Sequence, residues 1–438
     1  MRLSVIGAGY VGLVSGACFA ELGHSVLCID NNPAKIDAIR SGQMPIYEPG
    51  LDALVARNVA AGRLTFATGI DAAISDSAAV FIAVGTPSRF DGRAELTFVH
   101  AAVEACAPFL KAGAVVVNKS TVPIGTGDRV EEILATVRPE LAVSVASNPE
   151  FLREGAAISD FMEPDRIVVG VEDDNARAVA EAIYAPLTAK GAPLLFTRRR
   201  TSEMIKYAAN SFLATKLGFI NEIADLCEHV GADVAEVAIG IGLDSRIGRK
   251  FLNAGPGFGG SCFPKDALAL LNTANDVGAQ MPILERVIHA NDLRKRNIGR
   301  KILKALGGSV RGATIGVLGL AFKPETDDMR EAPSIDIVAS LDYWGAAIRA
   351  YDPAAMEQAK PKLPASVVYC DDPYACAEGA DAIAIVTEWN EFRTLDLARL
   401  KAVMRRPVIV DMRNVLSAAE VEAQGFQYDS VGRPGREA

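Results

Sequence analysis

Short apolar runs separated by helix-length segments mark the first third of the chain, at residues 3–6, 25–29, 79–84, 114–118 and 144–146. Strands spaced in this way by helices predict a parallel, doubly wound sheet. Near Thr201 the pattern changes to a helical period. Ile205, Ala209, Phe212, Ile220, Ile223 and Cys227 fall near one stripe, which predicts a long central helix. Further helices follow to about residue 300, interrupted by the glycine-rich loop at residues 255–260. A second set of apolar runs at residues 315–320, 348–351, 382–386 and 408–410 predicts a second parallel sheet. Ser4-Val5-Ile6-Gly7 and Gly316-Val317-Leu318-Gly319 both open their sheets as strand then glycine, with no longer self-similarity. The tail, residues 431–438, carries Gly, Pro and charges and is expected to fray.

The pattern divides the chain into residues 1–200, 201–300 and 301–438, in keeping with two or three domains for 438 residues. Half the residues are hydrophobic, enough for a large core. A net charge of -9 argues against a nucleic-acid surface, so any anionic ligand must be met by local positive charge. No run reaches the ~18 apolar residues of a membrane span, and Met1 leads into a strand without a basic and apolar leader. A cytoplasmic protein is expected. The seven cysteines are scattered and lack C-x-x-C spacing, so six are expected to be small buried hydrophobes. The four histidines show no metal-ligand spacing, and no metal is expected.

Gly7-Ala8-Gly9-Tyr10-Val11-Gly12 is G-x-G-x-x-G, placed between an apolar strand and an apolar helix, with Asp30 ending the next strand. Gly7 permits the tight turn, Gly9 lets the backbone approach a pyrophosphate, and Gly12 allows close packing of helix on sheet. Asp30 suits ribose hydroxyls and would repel a 2'-phosphate, so NAD is favoured over NADP. Lys35 either reaches the adenosine end or is solvated on its helix. The first domain is therefore expected to be a Rossmann-like NAD-binding domain.

Three further segments hold reactive groups close together: residues 148–154 (Asn-Pro-Glu-Phe-Leu-Arg-Glu), 203–210 (Glu-Met-Ile-Lys-Tyr-Ala-Ala-Asn) and 259–266 (Gly-Gly-Ser-Cys-Phe-Pro-Lys-Asp). Lys206 and Asn210, four apart on a helix, aim a cation and an amide at one point, a combination suited to an oxyanion. Glu150 and Glu154 would share a helical face in the same way. Cys262 follows a flexible Gly-Gly and stands at a loop-to-helix junction that favours a thiolate.

With the N-terminal fingerprint, Ser120-Thr121-Val122-Pro123 and Gly319-Leu320-Ala321-Phe322-Lys323-Pro324, these segments resemble the UDP-glucose 6-dehydrogenase family of nucleotide-sugar dehydrogenases, from Met1 to about Arg413. The resemblance implies an α/β protein of two Rossmann-like doubly wound domains, joined by a long central helix and a helical dimerisation region. It makes Cys262 the nucleophile that traps a sugar aldehyde as a thiohemiacetal. A thioester follows and is hydrolysed by water, so that two NAD are reduced per acid formed. Lys206 and Asn210 would stabilise charge on the substrate oxygen. Of Glu150 and Glu154, one would activate water and the other contact cofactor or sugar. Asp266, with Thr121, would hold the water receiving the first proton, unless Asp266 merely caps its helix.

The NAD side would include Tyr10, Val11, Thr86, Thr121, Glu154, Lys265 and Arg330 beside the fingerprint residues. The nucleotide sugar would meet Glu150, Phe151, Leu152, Arg153, Glu154, Lys206 and Asn210. It would also meet the loop Phe251-Leu252-Asn253-Ala254-Gly255, Gly259, and Phe322 with Lys323 at the end of the second sheet's first strand. Arg246 resembles an arginine that reaches a neighbouring subunit's substrate, implying a homodimer; simple solvation is its alternative. Arg198-Arg199-Arg200 departs from the family pattern. Three cations at a helix start oppose the macrodipole by roughly 0.3–1 kcal/mol each, and solvation is expected for them. GDP-mannose or an N-acetylated UDP-hexosamine are rival substrates. A non-catalytic sensor on the same scaffold is disfavoured because Thr121, Glu150, Lys206, Asn210, Cys262 and Asp266 are all present.

Overall fold

A computed structural model describes residues 1–434, and it separates into two units. One comprises Met1–Ala209 with Asn272–Gly278, and the other comprises the rest. The first contains β1 (Arg2–Ile6), β2 (Ser25–Ile29), β3 (Leu64–Ala67), β4 (Ala79–Ile82), β5 (Val115–Asn118), β6 (Ser144–Ser147), β7 (Ile167–Gly170) and β8 (Leu194–Thr197). They form one sheet in the order β3-β2-β1-β4-β5-β6-β7-β8. All pairs are parallel except β6 with β7, which meet antiparallel at Ser147 and Gly170. The reason the sheet is wound on both faces is visible in β5. Val115 and Val117 enter one apolar cluster with Leu3, Val5 and Phe81, while Val116 enters another with Ile6, Val80 and Ile82. A strand whose alternate side chains are both buried reads as a continuous apolar run.

The second unit holds β9 (Thr314–Leu318), β10 (Ala347–Tyr351), β11 (Val368–Tyr369), β12 (Ala382–Ile385), β13 (Val408–Asp411) and β14 (Gln427–Ser430), all parallel, in the order β11-β10-β9-β12-β13-β14. The two sheets open alike. Gly7 and Gly319 take φ of 103° and 90°, and their N–H groups donate to Ile29 O and Tyr351 O at 2.7 and 2.8 Å. In each unit an aspartate at or just after the end of the second strand accepts from the loop after the first: Asp30 from Ala8 N–H, Asp352 from Leu320 and Ala321 N–H. The likeness that the sequence shows only as strand then glycine therefore extends to the first loop of each sheet.

The apolar pattern misses β3, β8, β11 and β14, which are the four edges of the two sheets. Edge strands are partly exposed, so polar residues dilute their signal. It also misses β7, a short Ile-Val-Val run ended by Gly170, whose Cβ would lie 2.6 Å from Arg199 Cα.

The central helix spans Arg199–Val230 and passes from the first unit into the second at residue 209. Its buried side chains include Tyr207, Ala214, Ile220, Ala224 and Cys227. Phe212 does not belong with them, being 66 % exposed. With Phe219 and Leu226 it forms a separate apolar stripe, which corrects the predicted one. The arginine run is also not simply solvated. Arg199 is buried and pairs with Asp128 at 3.1 Å and with Glu131, and Arg200 pairs with Asp128 at 2.6 Å; Arg198 is exposed. Beside them the buried Glu203 accepts from Gly125 and Gly127 N–H at 2.6 and 2.8 Å, so a carboxylate occupies the start of the helix Thr126–Val137.

The start of the tail is held as well. Val431 is fully buried, Gly432 N–H donates to Glu228 at 2.8 Å, Gly432 O accepts from Val234 N–H at 2.9 Å, and Arg433 pairs with Asp233 at 2.9 Å. Fraying is corrected to that extent; residues 435–438 lie outside the described residues. No described helix is long and apolar enough to cross a membrane.

Candidate functional site

In the first unit the three fingerprint glycines differ in what surrounds them. A Cβ on Gly7 would lie 2.5 Å from Ala83 O, and one on Gly12 would lie 1.8 Å from Gly7 O, so these two are required by packing. A Cβ on Gly9 would meet nothing within 4 Å. Gly9 is extended and caps the helix Tyr10–Glu21, leaving open space at a helix N-terminus. That space fits the pyrophosphate of NAD. Asp30 accepts from Ala8 N–H at 2.9 Å, Asn32 N–H at 3.0 Å and Lys35 Nζ at 2.7 Å. Burial raises its pKa, but the hydrogen bonds and the Lys35 charge outweigh it and hold the carboxyl below its ordinary range. Lys35 therefore reaches Asp30 rather than standing free in solvent.

Val11 is half-buried, and the Tyr10 hydroxyl is bound to the buried Glu48, which also accepts from Gly155 and Ala157 N–H at 2.7 and 2.8 Å. Glu48 so ties the start of the fingerprint helix to the loop that follows Glu154. No local signal announces it, because its partners lie far along the chain. Thr86 donates to Thr121 O at 2.9 Å, bringing the loops after β4 and β5 together.

Residues 148–155 form a loop, not the helix that would give Glu150 and Glu154 a common face. Glu150 is buried, accepts from Leu152 N–H at 2.5 Å and pairs with the buried Lys206 at 3.0 Å. The Lys206 ammonium also sits 5.3 Å from the Phe151 ring centroid. Arg153 is exposed and forked onto Asp160, its nearest atoms at 2.6 Å. The sequence reading gave no role to Lys119 or Asn148, whose side chains are hydrogen-bonded at 3.0 Å. A lysine closing an apolar strand at its C-terminal end, where doubly wound sheets bind ligands, is the signal that marks Lys119.

In the second unit Asp266 is fully buried and accepts from Asn210 Nδ2 and Lys265 Nζ, both at 2.6 Å. Its side chain is thus engaged by two donors. Cys262 immediately precedes the helix Phe263–Asp276, and its carbonyl accepts Asp266 N–H at 2.8 Å. Its sulfur lies 3.5 Å from Ser261 Oγ. The other six cysteines are buried; Cys262 is partly exposed.

The glycines before it serve close approach rather than flexibility. A Cβ on Gly259 would lie 2.2 Å from Glu331 O, and one on Gly260 would lie 2.7 Å from the Phe322 ring. The rest of the loop is pinned by residues the sequence did not flag. Asn221 accepts from Gly255 N–H at 2.9 Å, Asn291 pairs with both the N–H and the carbonyl of Phe258, and Arg294 donates to Gly255 O at 2.6 Å.

Phe251 holds a left-handed φ of 64°, while Leu252 and Ala254 are buried and Asn253 is exposed. Lys323 lies over the Phe322 ring at 5.5 Å. Arg330 forks onto Asp328 at 2.8 Å, and its carbonyl accepts Gly260 N–H at 2.8 Å. Arg246 is exposed and forks onto Asp244 at 2.5 Å. The chemistry-bearing groups therefore form two carboxylate-centred sets, Glu150 with Lys206 in one unit and Asp266 with Asn210 and Lys265 in the other.

Residues 1–188 match the NAD binding domain of the UDP-glucose/GDP-mannose dehydrogenase family, residues 200–293 its central domain and residues 316–418 its UDP binding domain. The chain is 57% identical over 437 residues to the UDP-glucose 6-dehydrogenase of Rhizobium meliloti (strain 1021), covering 99% of this chain and 100% of that one. It is 50% identical to the UDP-glucose 6-dehydrogenase TuaD of Bacillus subtilis (strain 168), with 99% and 93% covered. The structure of a UDP-glucose dehydrogenase from the hyperthermophilic archaeon Pyrobaculum islandicum matches with a TM-score of 0.90 at 41% identity, covering 99% and 98%.

Proposed function

The chain belongs to the UDP-glucose/GDP-mannose dehydrogenase family, and on that footing we propose that it oxidises the C6 alcohol of UDP-glucose to the carboxylate, with Cys262 as covalent nucleophile. The observation that carries the covalent route is the setting of Cys262, the one cysteine outside the core, at the start of a 14-residue helix. A helix N-terminus favours thiolate over thiol. Full-length identity of 57% to a UDP-glucose enzyme favours that sugar over GDP-mannose or an N-acetylated hexosamine.

Residues 7–12 and Asp30, with Thr86, Glu154, Lys265 and Arg330 contributing, would hold NAD, which would supply the hydride acceptor for each of the two oxidations. Side chains of the protein do the rest. In the first oxidation the C6 hydroxyl proton passes to a water held by Asp266 and Thr121, while Lys206 and Asn210 donate to the oxygen. The Cys262 thiolate adds to the aldehyde carbon, and the new C–S bond retains the intermediate through the second oxidation. Water then attacks the thioester carbon, Glu150 takes the water's proton, and the C–S bond breaks with sulfur leaving as thiolate. Phe322, Lys323 and the main chain of residues 251–255 bind the nucleotide sugar. By function, residues 1–200 hold NAD, 201–300 form the central region and 301–438 hold UDP.

The reading includes a homodimer through the central helix, supported by the exposed Phe212, Phe219 and Leu226, with Arg246 reaching the neighbouring subunit's substrate. A cytoplasmic location suits a reaction that draws on NAD and a nucleotide sugar. Two measurements test the chemistry. NADH formed per sugar consumed is expected near two, and a ratio near one would reject the four-electron route. Cys262→Ser is expected to stop acid formation; undiminished acid from that variant would remove Cys262 from the mechanism.

A further inference from the structure

Lys119 carries an ammonium that the reaction above does not use. It follows β5 with its side chain buried, and Nζ donates to Asn148 Oδ1 at 3.0 Å. Asn148 is itself anchored, donating to Val168 O at 2.8 Å and accepting from the Tyr184 hydroxyl. The charged groups that act on the ammonium are Glu150, from the loop after β6, and Lys206, from the central helix. Tyr184, on the helix Asp174–Thr188, reaches it through Asn148, and Phe161, on the helix Ala157–Met162, presents its ring 5.9 Å away. Burial pulls the Lys119 pKa down to about 8, with Glu150 acting against that shift and Lys206 adding to it.

Two buried ammonium groups therefore border one short loop, Lys206 paired with Glu150 and Lys119 bonded to Asn148 two positions before it. Glu150 and Lys206 form a close pair at 3.0 Å. When Lys206 shares its charge with a substrate oxyanion its hold on Glu150 weakens, and a buried carboxylate left without a cation is strongly disfavoured. We propose that Lys119 is a positioning residue for the oxidation: anchored on Asn148, it keeps a positive charge beside the Glu150 loop, which frees Lys206 for the substrate oxygen while Glu150 serves as the base for water. This rests on the roles given to Glu150 and Lys206 above.

The test is Lys119→Met, which keeps the apolar stem and removes the charge. In the full-length enzyme kcat is expected to fall about tenfold or more, with KM for UDP-glucose changed by less than about twofold. Lys119→Arg, which keeps the charge, is expected to hold kcat within about threefold of wild type. A Lys119→Met enzyme with wild-type kcat, one whose loss appears in KM rather than kcat, or one whose loss Lys119→Arg shares in full, overturns the proposal. If that variant does not fold, Lys119→Gln, which still donates to Asn148, is read by the same criteria. Glu150→Gln separates the two levels. Full activity in Glu150→Gln removes the base role and the Lys119 assignment with it. Lost activity there beside an unaffected Lys119→Met removes Lys119 alone.

Discussion

Cys262 differs from the other six thiols in its surroundings rather than in its chemistry. Burial pushes Cys18, Cys28 and Cys106 up to about 12, which leaves almost no thiolate near neutral pH. Iodoacetamide at pH 7 is therefore expected to label Cys262 well before these three, with loss of activity tracking that single modification in peptide mass maps. Inactivation without Cys262 labelling would contradict the exposure seen here. Asp30 gives a pH-dependent signature. Its folded pKa lies below the unfolded one, so its contribution to stability is complete above about pH 4 and is lost as pH falls through the lowered value. Asp30→Asn is expected to lower Tm at pH 7, and the gap from wild type should narrow as pH falls below about 4. A constant gap would mean that the Lys35 and main-chain contacts are not its source.

At the level of elements, the start of the tail behaves as part of the second unit's core. Val431 packs in the same apolar cluster as Ile220, Ala224 and Val234, and a Cβ on Gly432 would come within 2.4 Å of Val234. Deleting the chain from Val431 onward removes a buried valine and two main-chain hydrogen bonds at Gly432. It is expected to cost about 2–4 kcal/mol, read by chemical denaturation, and an unchanged midpoint would show that these contacts do not hold the second unit. The Cys262 loop follows a similar logic. Its glycines admit Glu331 and Phe322, while Asn221, Asn291 and Arg294 hold its main chain, so Cys262 stands on a fixed support.

For the whole molecule, the central helix presents apolar side chains to solvent at seven-residue intervals, Phe212, Phe219 and Leu226, each more than half exposed. Such a stripe on a 32-residue helix suits a partner surface, and in the proposed homodimer a second copy of the chain would supply one. Phe219→Glu is expected to weaken the dimer by about 2 kcal/mol or more, roughly 30-fold in dissociation constant, read by sedimentation equilibrium. An unchanged sedimentation profile would place the interface elsewhere. The sequence by itself determined the two doubly wound sheets, the NAD fingerprint and the singling out of Cys262 from the six buried thiols. Each of these is written in contiguous residues, as a strand period, a glycine spacing or a loop-to-helix junction. It could not show the four sheet edges, whose exposed positions blur the period. Nor could it show that Phe212 faces solvent, because the helical period fixes which residues share a face and leaves open which face is covered. Only the tertiary structure decided that Lys206 pairs with Glu150 and Asn210 with Asp266, the latter 56 positions apart, and that Lys119 is bonded to Asn148. Such pairings depend on how the chain returns to itself, and local spacing carries no record of that.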